Sequence, residues 1–237
     1  MQWVLVTGGA KRLGAQLCVD LAAEGYSILV HYRTSKEEAY EVADRCRSFG
    51  VHAEAIYGDF SSQAGIEYFI RTCQEQFTSI KVLINNVGQY LVKPASKTTL
   101  EEWHAIFQTN LHVPFALCSS FANSLCRHKG SIINIGIAGL GNVRADVYSA
   151  AYNIAKTGLW TLTKSLAKEL APSGVRVNMV SPGYLENAVD LPDDLTTLPM
   201  SRAALLSEVT RAVIFLLNDQ NGYITGQNIE VAGGVRL

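Results

Sequence analysis

Tyr152 and Lys156 stand four residues apart in Tyr152-Asn153-Ile154-Ala155-Lys156, within a stretch of helical periodicity. That spacing puts both side chains on one helix face, where they address the same small volume. A free phenol has a pKa near ~10, too high for ready proton exchange at neutral pH. A neighbouring ammonium predicts a lower value, suited to a phenol that hands a proton to a reacting oxygen. Alone, such a pair is an ordinary helix-surface neighbour. A glycine turn about 140 residues upstream changes its meaning: Thr7-Gly8-Gly9-Ala10-Lys11-Arg12-Leu13-Gly14. Gly8 takes backbone conformations closed to other residues, and Gly14 lets the following helix approach a sheet. The helix N-terminus then offers free N–H groups and a positive dipole end to a pyrophosphate.

The elements that must position these residues alternate along the chain. Strand patterns occupy Trp3–Thr7, Ser27–Tyr32, Val51–Tyr57, Lys81–Asn85, Ser131–Gly136, Val175–Val180 and Asn228–Val231. Helical patterns occupy Leu13–Glu24, Glu37–Phe49, Ser62–Phe77, Leu100–Cys126 with a bend at Pro114, Tyr148–Ala171 and Ala203–Leu217. The alternation predicts an α/β protein: a single doubly wound Rossmann-type domain over residues 1–237, with a parallel seven-stranded sheet. Its ligand site is expected at the carboxyl ends of the strands.

An NAD site normally carries an acid at the end of the second strand, for the ribose hydroxyls. This chain reads His31-Tyr32-Arg33-Thr34-Ser35, with no Asp or Glu from Gly25 through Lys36. Arg33 with the Thr34 and Ser35 hydroxyls suits a 2′-phosphate, and Lys11 and Arg12 add cations beside the turn. Both sites point to NADP(H), with Arg12 helping Arg33. The plain alternative for Arg33 is a solvated loop charge.

The glycine turn, Asn85-Asn86-Val87-Gly88, the Tyr152–Lys156 pair and Pro182-Gly183, in that order, resemble the classical short-chain dehydrogenase/reductase family. The resemblance runs from Val4 to Gly234. It implies reduction of a carbonyl to an alcohol, with Tyr152 giving the proton and Lys156 also holding the ribose hydroxyls. Asn110, in Gln108-Thr109-Asn110-Leu111, matches an Asn that supports a water relay to the Lys. Asp59, in Gly58-Asp59-Phe60, matches an Asp that bonds adenine, although a helix N-cap opening at Ser61 is an alternative. Asn86-Val87-Gly88 resembles the ribose-lining N-A-G, and Pro182-Gly183 the loop beneath the nicotinamide. The family's turn reads T-G-x-x-x-G-x-G, and here Arg12 replaces the middle glycine.

The family usually places a Ser about 13 residues before the Tyr, just past the fifth strand. Gly139 lies at that distance, Ile137 follows the strand, and no Ser or Thr occurs between Ile132 and Tyr148. The loop Ala138–Val147 is about two residues longer than usual. Asp146 and Ser149 are the nearest polar residues, and both read as caps of the helix carrying Tyr152. Loss of one oxyanion donor costs roughly 10²–10³ in rate.

Within the family the resemblance is to 3-oxoacyl-carrier-protein reductases, through Tyr223-Ile224-Thr225-Gly226-Gln227 and Val231-Ala232-Gly233-Gly234. Lys11-Arg12 and the His31–Ser35 run also resemble pteridine or dihydromonapterin reductases. A third reading is a sensor or scaffold that binds NADP(H) without efficient chemistry. Residues 184–205 are expected to form a substrate lid, made acidic by Glu186, Asp190, Asp193 and Asp194. The basic run Arg127-His128-Lys129 reads as a solvated helix end, with an acidic carrier protein as the alternative partner.

With 48% apolar and 17% charged residues, the chain is a packed globular protein rather than a disordered one. A net charge of −1 argues against non-specific nucleic-acid binding. No apolar stretch reaches the roughly 20 residues of a membrane span, and the opening Met1–Val6 is too short for a signal peptide. Five cysteines without C-x-x-C spacing fit reduced thiols in the cytoplasm, and five histidines show no metal-ligand pattern. The resemblance implies a homotetramer or homodimer.

Overall fold

The computed structural model describes residues 1–142 and 145–236. β1 (Trp3–Val6) leads into α1 (Arg12–Ala23), β2 (Ser27–Tyr32) into α2 (Lys36–Arg47), and β3 (Ala53–Tyr57) into α3 (Gln63–Gln76). β4 (Ile80–Asn85) is followed by α4 (Leu100–Phe107) and α5 (Val113–His128), and β5 (Ser131–Ile135) by α6 (Ala150–Leu170). β6 (Arg176–Pro182), α7 (Leu206–Leu217) and β7 (Asn228–Val231) complete the order.

All seven strands join one parallel sheet in the order β3-β2-β1-β4-β5-β6-β7. Val4 faces Ile28 of β2 on one side and Val82 of β4 on the other. The chain therefore winds outward in two directions from β1, and the loops leaving β1 and β4 part to open a crevice. Strand residues alternate between two cores. Val4, Val6, Ile28 and Val30 pack under α1, α2 and α7, whereas Leu5, Leu29, Leu83 and Ile132 pack under α3, α5 and α6. Burial on both faces explains why these strands read as continuous apolar runs.

The long helix expected over Leu100–Cys126 is two helices joined by a π-turn at Gln108–His112. Pro114 lies in the first turn of α5. It lacks the N–H that would bond residue 110, and its ring crowds that carbonyl, so the ladder widens just upstream. The helix expected from Ala203 begins at Leu206, because Ala204 is drawn into a bridge with Leu185. The helix expected from Tyr148 begins at Ala150.

A buried polar chain fixes α6 against the sheet. Asn85 Nδ2 donates to Asn134 Oδ1 at 2.8 Å, and Asn134 Nδ2 donates to Thr163 Oγ1 at 2.8 Å. Residues on β4, β5 and α6 are thus held in one register, and α6 carries both Tyr152 and Lys156.

Candidate active site

The glycine turn is closed by two residues from neighbouring strand ends. Thr7 Oγ1 accepts the amides of Asn86 (2.9 Å) and Val87 (3.1 Å), while Asn86 Nδ2 donates to the carbonyls of Thr7 and Gly8. Gly8 sits at φ +64°. Any Cβ at Gly14 would collide with the Gly8 carbonyl and lie 2.8 Å from Asn86 Nδ2, so glycine is obligatory there. Arg12 keeps a left-handed backbone, φ +52°, at the position of the family's middle glycine. Such a conformation costs a side-chain-bearing residue about 1–2 kcal/mol.

A groove runs along the carboxyl ends of the strands from this turn to Tyr152. Its central part is walled by Gly8, Lys11, Arg12, Leu13 and Gly14, by Asn86, Val87 and Gly88, and by Tyr152, Lys156, Pro182 and Gly183. A second cavity shares Gly8, Val87 and Gly88 and is walled further by Arg33 and Phe60. Thr34 is exposed beside it, and Ser35 holds the N-cap position of α2 without a side-chain cap. Asp59 Oδ1 accepts the Ser61 amide at 2.9 Å, and this bond first, with Arg33 also contributing, keeps its carboxyl below the usual range. The cap of α3 is Ser62, whose Oγ accepts the Gly65 amide. The capping alternative for Asp59 is thereby confined to a local turn.

Lys11 Nζ pairs with Glu38 of α2 at 2.7 Å. Arg12 lines the groove and also a third cavity with Tyr90, Tyr152 and Asp190. Arg33 lines the second cavity. Arg12 and Arg33 thus line different cavities, which share the Gly8 side of the turn through the central groove.

Lys156 is buried, 3% exposed, and its Nζ donates to the Ile135 carbonyl at 2.8 Å. Burial brings its pKa down to about 8. The Tyr152 ring lies 5.7 Å from that nitrogen. Its pKa is raised, by burial first and then by Tyr90 and Asp190. The lowered phenol expected from the Tyr–Lys spacing is therefore reversed. Desolvation of a phenolate outweighs an ammonium that is committed to a backbone carbonyl. Asn110 stands behind the pair in the π-turn, with Nδ2 donating to the carbonyls of Gln89 and Ile106, both at 2.9 Å. Its Oδ1 is buried and has no partner among the described residues.

Ile137 lines both the groove and the third cavity, so an aliphatic side chain does occupy the wall beside Tyr152. The polar groups of that cavity come from elsewhere. Asp146 Oδ1 accepts the amides of Tyr148 (2.9 Å) and Ser149 (2.7 Å), and its Oδ2 accepts the Ser149 hydroxyl at 3.2 Å. Burial pushes the Asp146 pKa up, but these bonds and the Arg236 charge outweigh it and hold the carboxylate ionised. Ser149 is at the N-cap of α6, yet its side chain makes no cap bond. The expectation that Ser149 caps the helix is corrected: its hydroxyl is turned to Asp146, while Asp146 caps only the turn before α6. Residues 143–144 of the longer loop lie outside the described residues.

Tyr90, which the motifs did not single out, packs edge-on against Tyr152 at 4.9 Å between ring centroids. Its position after the family-like Asn86-Val87-Gly88 was the available signal. Among the described residues no group of three His, Cys, Asp or Glu side chains is arranged to hold a metal ion. No described helix is long and apolar enough to cross a membrane.

The residues present fit a dinucleotide. The α1 N-terminus has no side-chain cap among the described residues, which leaves its first amides for an anion. A Cβ-free cradle at Gly14 and the orphan oxygen of Asn110 supply a close approach and a polar anchor. Fold and groove together define a Rossmann-type dinucleotide-binding protein with a Tyr–Lys pair in the wall of its groove. Residues 8–236 match the family model described as Enoyl-(Acyl carrier protein) reductase. The chain is 33% identical over 243 residues to a 3-oxoacyl-acyl-carrier-protein reductase of Staphylococcus aureus, covering 98% of this chain and 97% of that one. It is 33% identical over 240 residues to the acetoacetyl-CoA reductase of Allochromatium vinosum, again covering 98% and 97%. A blue fluorescent protein from a metagenomic library, solved in complex with NADPH, has the same fold at a TM-score of 0.91 and 26% identity, covering 100% and 98%. The chain belongs to the short-chain dehydrogenase/reductase family of oxidoreductases.

Proposed function

We propose that this protein is an NADP(H)-dependent reductase of carbonyl groups, most like a 3-oxoacyl-thioester reductase. The observation that carries this reading is the placement of Tyr152 and Lys156 in one wall where the groove meets the third cavity. The likeness to 3-oxoacyl and acetoacetyl thioester reductases supports the substrate class. Arg33, without an acid on β2, supports the 2′-phosphate. A dinucleotide held by Gly8, Gly14, Asn86, Gly88 and Lys156 would supply the hydride that the carbonyl carbon needs. Tyr152, protonated through the neutral range, gives its proton to the carbonyl oxygen. Lys156 holds a positive charge beneath it, and Asn110 Oδ1 offers an acceptor for a water between the amide and Lys156. The donor missing at Ile137 is supplied by Tyr90, which shares the cavity with Tyr152, or by Ser149 once its hydroxyl turns from Asp146 to the substrate oxygen. A cytoplasmic homotetramer or homodimer is part of this proposal, and light scattering at assay concentration tests the assembly.

A second reading is reduction of a planar N–H-bearing heterocycle, such as a dihydropteridine. Arg12, Asp146 and Asp190 in the third cavity favour it, together with the Tyr90 and Tyr184 rings. Carboxylates accept paired N–H groups well, and an acyl chain makes no use of them. Turnover of acetoacetyl thioester against dihydropteridine, each with NADPH, separates the readings. Failure with both substrates while NADPH still binds would favour a binding protein without efficient chemistry.

A further inference from the structure

We propose that His31 is the positioning residue of the phosphate-binding turn: a neutral imidazole wedged between the Gly8 amide and the Gly58 carbonyl, setting affinity for the dinucleotide without touching the reacting atoms. The proposal rests on the dinucleotide reading of the groove.

His31 holds two consecutive amides of the turn. Gly8 N–H donates to His31 Nδ1 at 2.9 Å, and Gly9 N–H donates to the His31 main-chain carbonyl at 2.8 Å. On the other side of the ring, Nε2 lies 3.1 Å from the Gly58 carbonyl. An acceptor at Nδ1 and a donor at Nε2 are both present only in the neutral Nε2–H tautomer. The ring has no freedom to turn. Phe60 stacks on it at 4.3 Å with an interplanar angle of 6°, and Phe69 meets it edge-on at 5.0 Å. Gly58 makes room, since a Cβ there would fall 2.9 Å from Nε2. His31 is 2% exposed.

This arrangement ties β1, β2 and β3 together beneath the anion site. A side chain without an acceptor at the Nδ1 position would leave the Gly8 amide unpaired and the turn free to rotate that peptide. Protonation would have a similar result, because Nδ1–H would then confront Gly8 N–H. Burial opposes that protonation and lowers the His31 pKa to about 4, while the bond to Gly58 raises it. The charged and titratable groups that line the ring's cavity are Arg33 at the end of β2 and Glu101 and His104 on α4, with Asp59 next to Gly58 in the chain and coupled to Arg33. At neutral pH the wedge is therefore intact, and it fails as pH falls towards 4.

The test uses the full chain and NADP+, which survives acid, followed by quenching of intrinsic fluorescence between pH 4 and 8. His31→Asn keeps an acceptor near the Nδ1 position but cannot be protonated; His31→Leu keeps bulk and loses both bonds. At pH 7.5, His31→Leu should weaken NADP+ about tenfold or more and raise the KM for NADPH, with kcat at saturation within about threefold of the parent. His31→Asn should restore most of the affinity and show a shallower loss below pH 5 than the parent. The 2′-phosphate titrates in both proteins, so the difference isolates the imidazole. Parent-like NADP+ affinity in His31→Leu, or identical acid limbs in parent and His31→Asn, would overturn the proposal. If His31→Leu does not fold, the acid limbs alone decide. A parent that binds neither NADP+ nor NAD+ at pH 7.5 would instead sink the dinucleotide reading itself.

Discussion

Lys156 Nζ is anchored to the Ile135 carbonyl at 2.8 Å, so the ammonium is built into the end of β5 rather than hung free beside the Tyr152 phenol. The lysine thereby sets the charge of the site's floor, and the tyrosine keeps its proton. A phenol of raised pKa suits the reductive direction, in which it starts protonated.

The pH dependence follows from these two directions. The Lys156 pKa is lowered to about 8, and the Tyr152 pKa is raised. Reduction should hold a plateau below pH 8 and decline as pH rises through the lysine's pKa, while Tyr152 remains a donor throughout. Steady-state kcat/KM from pH 6 to 10 checks this; a profile rising through pH 8 would contradict it. Tyr152→Phe should lower turnover by about 10²-fold or more with NADPH binding nearly unchanged.

Burying Lys156 carries a stability cost. A pKa displaced from 10.5 to about 8 corresponds to roughly 3 kcal/mol at pH 7, less about 1 kcal/mol for its bond to Ile135. Lys156→Met should therefore stabilise the fold by about 2 kcal/mol at pH 7 while abolishing turnover. Between pH 8 and 10.5 the unfolded lysine holds its proton and the folded one does not, so parent stability gains there with rising pH. The difference in urea midpoint between variant and parent should shrink across that window.

Arg33 and Arg12 line different cavities and should separate functionally. Arg33→Asp is expected to weaken NADPH by about 10–100-fold and to change NADH little. Arg12→Gly should leave that discrimination intact and alter the KM of the carbonyl substrate. Competitive titrations with both cofactors check the first, and substrate saturation curves the second.

Ser149→Ala and Tyr90→Phe test the donor that replaces the usual serine. If either supplies the hydrogen bond, its removal should reduce kcat by about 10²-fold with KM for NADPH unchanged. Ile137→Ser should then add little, because the carbonyl oxygen is already served. A marked gain in Ile137→Ser, with no loss in the other two variants, would show that the donor is simply absent in the parent.

Strand–helix alternation, the apolar runs of Val4–Val6 and Ile28–Val30, and the glycine turn make the parallel sheet and its switch point legible in the sequence, because these depend on local pattern and on burial of both sheet faces. The shared face of Tyr152 and Lys156 follows from helix geometry alone. Tertiary structure decided the rest, because long-range contacts and desolvation leave no local mark. The direction of Lys156 towards Ile135 depends on how α6 packs against β5, whereas only the exact form of the π-turn at Asn110, not the bend at Pro114, had to await the structure. The raised phenol of Tyr152 comes from burial, then from Tyr90 and from Asp190 in the segment after β6. The linkage of Gly8 through His31 to Gly58 joins three strand ends that only the sheet brings together.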